Sequence, residues 1–303
     1  MDLRQIEYIL KIAEEKNISR AAEKLFISQP ALNQQLINLE KELGTPLFDR
    51  QRGELRLTEA GRVYVEAGRQ ILDIKKDAYA RIEDVADVKN AQLRVGVTPE
   101  SGARILGWVY KRFYAAHPEV RTIIEQMDTV SLQKAVASGA LDLAIGTIGP
   151  EKDESRLCYE VLRTMEMLLV MSKEDPYLAE AYVDEKGQRC IDLRKLKDES
   201  FALGPTAGTS HLMTDMLFEE AGFLPRLYHQ GGAFPLRLSM VEMNQCCTFS
   251  EEHHSEALPD TVERLHLSTH PKLESVVIYK KSRHLTMAER DFINIARLFW
   301  ENN

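Results

Sequence analysis

The sequence contains few of the residues that mark secreted, membrane or metal-dependent proteins. It has only 4 cysteines among 303 residues, and their positions lack the repeated spacing of a zinc finger. No apolar run is long enough to span a bilayer, and the amino terminus has no signal-peptide pattern. We therefore expect a cytoplasmic protein. Its length and 44% apolar content predict two or three globular domains.

The cysteines allow two interpretations. A redox switch could join Cys158 or Cys190 to Cys246–Cys247, but free cysteines are among the most buried residues, so inert buried thiols are the better interpretation. His253–His254 lies near the cysteine pair and could bind a metal ion. Solvated loop histidines are the better explanation, since no repeated ligand spacing is present. We therefore expect no metal site and no cofactor.

Catalytic motifs are also missing, because the chain has no nucleophile elbow, P-loop, dinucleotide fingerprint or HExxH motif. We therefore do not expect an enzyme. The formal net charge of −8 argues against nucleic-acid binding by the chain as a whole. Residues 1–58, however, carry nine basic and nine acidic side chains. The acidity lies elsewhere, and phosphate attraction in this segment has to come from local patches.

Three short helical patterns occupy the first 44 residues. Ser28 is a typical N-cap, followed by Pro30 in the first turn of the third helix. Apolar residues recur at intervals of three and four in each pattern, which predicts one buried face per helix. The expected stripes are Leu3, Ile6, Leu10 and Ala13; Ile18, Ala21, Ala22 and Leu25; and Leu32, Leu36, Leu39 and Leu43.

A turn and an arginine-rich hairpin with its tip at Arg52-Gly53 follow these helices. This order predicts a winged helix-turn-helix that binds duplex DNA. Amide side chains on the third helix can pair with adenine, at about 1–3 kcal/mol of discrimination each, and arginines can contact phosphates. Any one of these residues alone could equally be a solvated surface residue. The candidate DNA-binding residues are Ser28, Gln29, Pro30, Asn33, Gln34, Arg50, Arg52 and Arg56.

Residues 1–61 resemble the DNA-binding domain of LysR-type transcriptional regulators. One departure is that the family commonly has Ser, and soon after it a basic residue, where this chain has Asn33 and Gln34. The resemblance implies a DNA-binding domain, which we place at residues 1–58. The matching motifs, in order and without a gap, are Ala21–Leu25, Ser28–Leu32, Leu39–Gly44, Pro46–Arg50 and Leu57–Gly61.

A long helix is predicted for residues 59–89, where helix-breaking residues are almost absent. Its narrow apolar stripe is suited to pairing with a second copy, although the helix could instead pack on its own domain. In the resembling family this segment is the dimerising linker helix. The resemblance also implies a dimer of dimers, which is a homotetramer. The stripe consists of Val63, Ala67, Ile71, Ile74, Ala78, Ile82 and Val85.

Residues 90–303 alternate between strand and helix patterns, beginning with a βαβαβ run over residues 93–146 that predicts a largely parallel sheet. This part resembles the effector-binding domain of the same regulators, an α/β domain of two lobes built like periplasmic binding proteins. We expect lobe I at 90–163 and 268–303, and lobe II at 164–267. The family often ends a helix with Gly-x-Gly where this chain has Asn244-Gln245-Cys246.

A ligand is expected at the carboxyl ends of the strands, near helix amino termini. Three loops there carry hydroxyls, which together with helix amides would form a neutral, anion-tolerant site for a small carboxylate. Each hydroxyl alone could be a plain helix cap. The candidate effector-binding residues are Thr98, Ser101, Thr129, Ser131, Pro205 and Thr206.

The leading interpretation is a ligand-responsive regulator whose partners are double-stranded promoter DNA, a small-molecule effector and other copies of itself. Effector binding would change promoter binding and bending. The serious alternative is a constitutive DNA-binding regulator without a working effector site. A solute-binding protein fits residues 92–303 alone, but the missing secretion signal and the first 90 residues oppose it.

Overall fold

The computed structural model describes residues 2–51, 54–86, 92–206, 208–252 and 258–302. The chain divides into two compact units, Met1–Asp87 and Val88–Asn303. No helix within the described ranges combines the length and the apolar character that crossing a membrane requires.

The first unit contains four helices and a two-stranded hairpin. Side-chain oxygens of Asp2, Asn17 and Ser28 accept hydrogen bonds from the backbone in the first turns of the first three helices, which confirms Ser28 as an N-cap. The elements are α1 (Leu3–Glu15), α2 (Ile18–Lys24), α3 (Gln29–Leu43), β1 (Phe48–Gln51), β2 (Glu54–Leu57) and α4 (Glu59–Ala86). The hairpin tip, Arg52-Gly53, lies outside the described residues.

The core of this unit forms where the helices cross. The expected stripe of α3 is buried except at Leu43, which is 43% exposed where the helix ends. In α1 the buried residues are Ile6, Ile9 and Ile12, so the expected stripe was right only at Ile6: Leu3 is 39% exposed, and Leu10 and Ala13 are half-buried. The first turn of a helix lies at the edge of the core, where an apolar pattern alone does not determine burial.

The start of α4 packs closely against the turn before the hairpin. Thr58 caps the helix, because its hydroxyl accepts from the Gly61 amide at 2.9 Å. A Cβ atom at Gly61 would lie 2.0 Å from the Leu47 carbonyl oxygen, so only glycine fits there. The Glu40 carboxylate accepts from the Leu47 amide at 2.7 Å and ties α3 to the same turn. These contacts explain why the Leu57–Gly61 motif accompanies the wing.

The second unit consists of two lobes joined by one long strand, β6 (Leu157–Ser172). Lobe I contains β3 (Gln92–Val97), α5 (Ser101–Ala116), β4 (Arg121–Gln126), α6 (Thr129–Ser138), β5 (Leu143–Ile148), β13 (Lys272–Lys280) and α9 (Met287–Arg297). Lobe II contains β7 (Tyr182–Val183), β8 (Arg189–Ile191), β9 (Ser200–Leu203), α7 (Thr209–Ala221), β10 (Arg226–Gln230), α8 (Phe234–Glu242), β11 (Cys247–Glu251) and β12 (Val262–Leu267). The first part of β6 pairs with β13, and its end pairs with β11 and β12.

In lobe I the sheet is parallel where the sequence predicted it and antiparallel at β13. Lobe II also has parallel pairs, in which β9 pairs with β10 and β11 and β8 pairs with β12. Strand β3 runs parallel to β4 and β5, but β13 is antiparallel to both β5 and β6. The late strand returns to lobe I after the chain has passed through lobe II, so its direction could not be read from the local pattern. In each lobe, helices cover the sheet and bury its apolar side chains.

Candidate DNA-binding surface and effector cleft

The amino end of α3 is accessible in the first unit. Ser28, Gln29 and Pro30 are exposed, as is Gln34, while Asn33 is half-buried. Their exposure follows from the helix itself, because Leu32, Leu36 and Leu39 anchor the opposite face in the core. The exposed face therefore presents backbone amides, a hydroxyl and amide side chains together, which can donate to phosphates and base edges.

Two of the candidate amides are already oriented by neighbours. The Gln29 side-chain oxygen lies 3.1 Å from the Ser19 hydroxyl, which donates to it, and the Gln34 side chain donates to Asn38 at 2.9 Å. Because the Gln29 side-chain oxygen accepts from Ser19, its amide nitrogen is the group that can donate to a base edge. Among the candidate arginines, Arg56 is exposed on β2. The Arg50 side chain and the whole of Arg52 lie outside what the structure describes.

Sequence analysis did not single out Phe26, which is 95% exposed in the turn before α3. Its backbone is left-handed, with φ of 55°. Phe26 occupies the position after the α2 C-cap where glycine is usual: the Phe26 amide donates to Glu23 and the Ile27 amide to Ala22. A phenylalanine does not by itself predict an exposed, left-handed residue. Only its position directly after the α2 C-cap could have indicated this conformation.

In the second unit, hydroxyls from both lobes meet beside the end of β5. Thr98 and Ser101, at the start of α5, are buried with their hydroxyl oxygens 3.2 Å apart. The Gly102 amide donates to the Thr98 hydroxyl at 3.0 Å. A Cβ atom at Gly102 would lie 2.4 Å from the Ile145 carbonyl oxygen, so glycine lets α5 approach the strand. Thr98 and Ser101 therefore lie side by side at the start of α5, next to β5.

Thr147, on β5, connects these residues to lobe II. Its hydroxyl lies 2.9 Å from the Ser101 hydroxyl and 3.0 Å from the Glu251 carboxylate at the end of β11. When the Glu251 carboxylate is ionised it can only accept, so the Thr147 hydroxyl then donates to it. Burial raises the pKa of the Glu251 carboxyl to about 7, although the Thr147 hydrogen bond lowers it. Glu251 is thus close to half-protonated at neutral pH.

A second connection joins the amino ends of two helices from different lobes. The hydroxyls of Thr129 (α6) and Thr209 (α7) lie 2.6 Å apart, and Thr209 donates to the Thr147 carbonyl at 2.7 Å. Both side chains are buried. We name the whole group the Thr147 cluster; it comprises Thr98, Ser101, Thr129, Thr147, Thr209 and Glu251. Because the cluster spans both lobes, any relative movement of the lobes has to break or replace these bonds.

Charged groups also face this region, so the site is not neutral as expected from the hydroxyls alone. The Glu100 carboxylate accepts from the Phe234 amide at 2.9 Å, at the amino end of α8. The Arg237 guanidinium is buried, donates to the Gly232 carbonyl at 2.7 Å and interacts with Glu100 and Glu251. Burial lowers the pKa of Arg237, yet it stays cationic at neutral pH because arginine titrates far above it.

The remaining candidate effector residues stand apart from the Thr147 cluster. Ser131 is bonded to Asp128, whose carboxylate accepts from both its amide and its hydroxyl, so it takes part in a helix cap. Pro205 and Thr206 are exposed. The sequence pattern missed Thr147 and Glu251 because each lies at the end of a strand, and the strand of Glu251 was not predicted. Thr209 was missed because it is the first residue of α7, at the boundary between a loop and the helix.

The cysteines agree with the prediction of inert buried thiols, except that Cys158 is only half-buried. Cys190, Cys246 and Cys247 are buried, while Cys158 is half-buried. Burial raises the pKa of Cys246 to about 11 and raises the pKa of Cys247 well above its ordinary value. Such thiols are almost fully protonated at neutral pH, which makes them weak nucleophiles. His253–His254 lies outside the described residues.

Comparison with known proteins agrees with this architecture. Residues 3–62 match the family model described as bacterial regulatory helix-turn-helix protein, lysR family, and residues 86–300 match the LysR substrate binding domain. The chain belongs to the LysR family. This LysR-type protein is a DNA-binding transcription regulator with an effector-binding domain, and its family is one of transcriptional regulators.

Relatives and solved structures cover from three quarters to nearly all of the chain. An uncharacterized HTH-type transcriptional regulator, YcgK, of Bacillus subtilis (strain 168) is 27% identical, covering 98% of this chain and 94% of its own. A probable RuBisCO transcriptional regulator of Trieres chinensis is 31% identical, covering 75% and 72%. A full-length OxyR variant from Pseudomonas aeruginosa has a TM-score of 0.66 at 23% identity, covering 98% of both chains. At that identity the structure shows a shared fold.

Proposed function

We propose that this LysR-type regulator binds promoter DNA through the amino end of α3, pairs with a second copy through α4, and responds to a small effector held between its two lobes. It acts in the cytoplasm, where promoter DNA is. The domains are residues 1–58 for DNA binding, 59–89 for pairing and 90–303 for effector binding. DNA contacts come from Ser28, Gln29, Pro30, Asn33, Gln34, Arg50, Arg52 and Arg56.

Exposed apolar residues on α4 support the pairing. Tyr64, Val65 and Gly68 face the core of the first unit, whereas Val63 and Ile74 lie on a different face, and Ile74 is 70% exposed. A helix that needed to pack only on its own domain would keep polar residues there. Two-fold pairing would present two α3 helices to successive major grooves, and pairing of dimers would give a tetramer.

The Thr147 cluster is the observation that carries the effector proposal. Its hydrogen bonds link lobe I to lobe II, so a ligand that replaces them changes the relative stability of two lobe arrangements. An effector carboxylate suits Arg237 and the amino ends of α6 and α7, while Glu251 and Glu100 suit a donor group on the same molecule. We therefore propose a small carboxylate that also carries a hydroxyl or amine, with Thr98, Ser101 and Thr129 among its contacts.

Effector-dependent DNA footprinting tests this proposal. A panel of small hydroxy- and amino-carboxylates is screened for a rise in melting temperature, and compounds that bind are added to footprints on bound promoters. Thr129→Ala should abolish the footprint change, while Thr122→Ala on β4 should retain it. If no carboxylate shifts the melting temperature, or if Thr98→Ala and Thr129→Ala respond as the unaltered protein does, the effector site is wrong.

A constitutive regulator is the second candidate, and one observation favours it. The hydroxyls of the cluster already bond to each other and to the backbone, which leaves the cleft stable without a ligand. The same footprints distinguish the two candidates, because a constitutive regulator protects the same bases whatever is added.

A further inference from the structure

Lobe II holds a group of metal-ligating side chains remote in sequence and distinct from the Thr147 cluster. Asp184, Cys190 and His270 each offer a ligand atom, and these atoms lie within 4.8 Å of one another. Glu166 and His266 adjoin them. Together they combine a thiol, two imidazoles and two carboxylates, which are the ligand types that Zn²⁺ takes in proteins.

The strand register brings the group together. Cys190 on β8 is paired with His266 on β12, and β12 pairs in turn with β6, which carries Glu166. His270 follows β12 in a turn where its backbone is left-handed, with φ of 46°. The Met167 amide donates to the Pro271 carbonyl at 2.9 Å and fixes this turn against β6. Three separate segments thus hold the side chains in place.

The hydrogen bonds orient the ligand atoms. The Glu166 carboxylate lies 3.1 Å from His270 Nδ1, so this nitrogen carries the proton and donates to it. The other ring nitrogen, Nε2, lies 3.8 Å from Asp184 Oδ2. Asp184 Oδ1 is occupied by the amides of Lys186 and Gln188, each at 2.8 Å, which directs the second oxygen to the site.

We propose that Asp184, Cys190 and His270 bind a Zn²⁺ ion, with Glu166 as the positioning residue that fixes His270. Tetrahedral zinc ligands lie about 3.3–3.7 Å apart, given bond lengths of about 2.0–2.3 Å. The 3.8 Å between His270 Nε2 and Asp184 Oδ2 therefore needs only a small contraction, while the Cys190 sulfur lies within 4.8 Å of both ligand atoms and has to move closer by up to about 1 Å. The carboxylate–histidine–metal arrangement is the usual support for a ligating imidazole. Binding releases the Cys190 proton to solvent and leaves a fourth coordination position for water.

Such a site would connect the β7–β8 hairpin to the turn after β12. The ligands come from residues 184, 190 and 270, so their spacing has no zinc-finger periodicity, and sequence analysis gave no reason to group them. The site lies in lobe II and uses no residue of the Thr147 cluster. Its existence therefore does not depend on the proposed effector.

Cobalt substitution tests the site in the full-length protein. Titration with Co²⁺ should reach one equivalent per chain and produce both a thiolate-to-metal charge-transfer band and the visible bands of tetrahedral Co²⁺; Zn²⁺ should remove them. Cys190→Ser should lose the charge-transfer band, and Cys158→Ser, the matched control, should keep it. Glu166→Gln should keep the band but weaken metal binding by about 10–100-fold.

Further measurements distinguish a variant that has lost its fold from one that has lost only a metal ligand. Far-UV circular dichroism is recorded for each, and His270→Gln serves as a second test because its side chain is partly exposed. Loss of the band in folded His270→Gln supports the site. Absence of the band in the unaltered protein, or equal bands with and without Cys190, overturns it. Binding retained in His270→Gln places the metal elsewhere and equally overturns it.

Discussion

Phe26 is a bulky residue in a left-handed backbone conformation that such residues rarely adopt. Helices α6, α7 and α8 end in the same hydrogen-bonded turn as α2, with Gly139, Gly222 and Asn244 at the left-handed position. Glycine and asparagine tolerate that conformation, whereas a bulky side chain is disfavoured by about 1–2 kcal/mol. At Phe26 the chain accepts this cost in the turn before α3, with the ring 95% exposed.

Replacing Phe26 with Asn should stabilise the first unit by about 1 kcal/mol, because the left-handed turn becomes favourable and almost no buried surface is lost. Urea denaturation followed by circular dichroism measures the change. Phe26→Leu is the control, since it keeps the backbone cost and should leave the free energy of unfolding nearly unchanged. A destabilised Phe26→Asn protein would show that the ring makes stabilising contacts.

Glu251 should make stability depend on pH. Its pKa is raised by burial to about 7 in the folded protein, from an ordinary value of about 4.5. The raised pKa of Glu251 contributes fully to the free energy of unfolding below about pH 4.5. This contribution is lost as the pH rises through about 7, because the carboxyl ionises at a lower pH in the unfolded chain than in the folded protein. The loss is on the order of 3 kcal/mol.

Glu251→Gln should remove this part of the decline, since glutamine stays neutral and still accepts from Thr147. The free energy of unfolding at pH 5 and pH 8 should then differ less than in the unaltered protein. Glu125→Gln, on the exposed edge strand β4, should retain the original difference. Equal pH dependence in all three proteins would contradict a raised pKa at the Glu251 carboxyl.

Among the secondary-structure elements, the sequence correctly predicted the features that depend on residues close together in the chain. The cap at Ser28, the α3 stripe from Leu32 to Leu39 and the β3–α5–β4 order are all observed. The pattern could not predict the antiparallel β13 or the meeting of Thr147 with Glu251. Both depend on how β6 passes from one lobe to the other, which is a property of the assembled sheet.

Helix α4 carries the prediction that belongs to this scale. Ile74→Glu should weaken self-association by about 100-fold, because an unpaired carboxylate buried at a helix pair costs about 3 kcal/mol. Sedimentation velocity across protein concentration measures it. Arg69→Gln makes the same change in charge on another face of the helix and should leave association intact. Dimers of equal stability in both variants would mean that α4 does not form the interface.

For the whole molecule, we expect two kinds of DNA contact. Separate mutations can distinguish them. Base contacts from α3 set sequence preference, whereas the wing arginines add affinity for any duplex. Arg52→Ala should therefore weaken binding to all sequences and reduce the salt slope by about one unit. Fluorescence anisotropy at several salt concentrations measures this, and unchanged binding to every duplex would remove Arg52 from the interface.

The most direct test is the base preference of the Gln29→Ala protein, selected from a random duplex library at low ionic strength and compared with the unaltered protein. The account predicts that discrimination falls by about 1–3 kcal/mol at one position of each half-site, with little change in salt slope. Gln35→Ala, an amide exposed on the same helix, should leave the preference intact. Identical preferences with and without Gln29, or failure of the unaltered protein to bind any duplex, would contradict insertion of α3 into the groove.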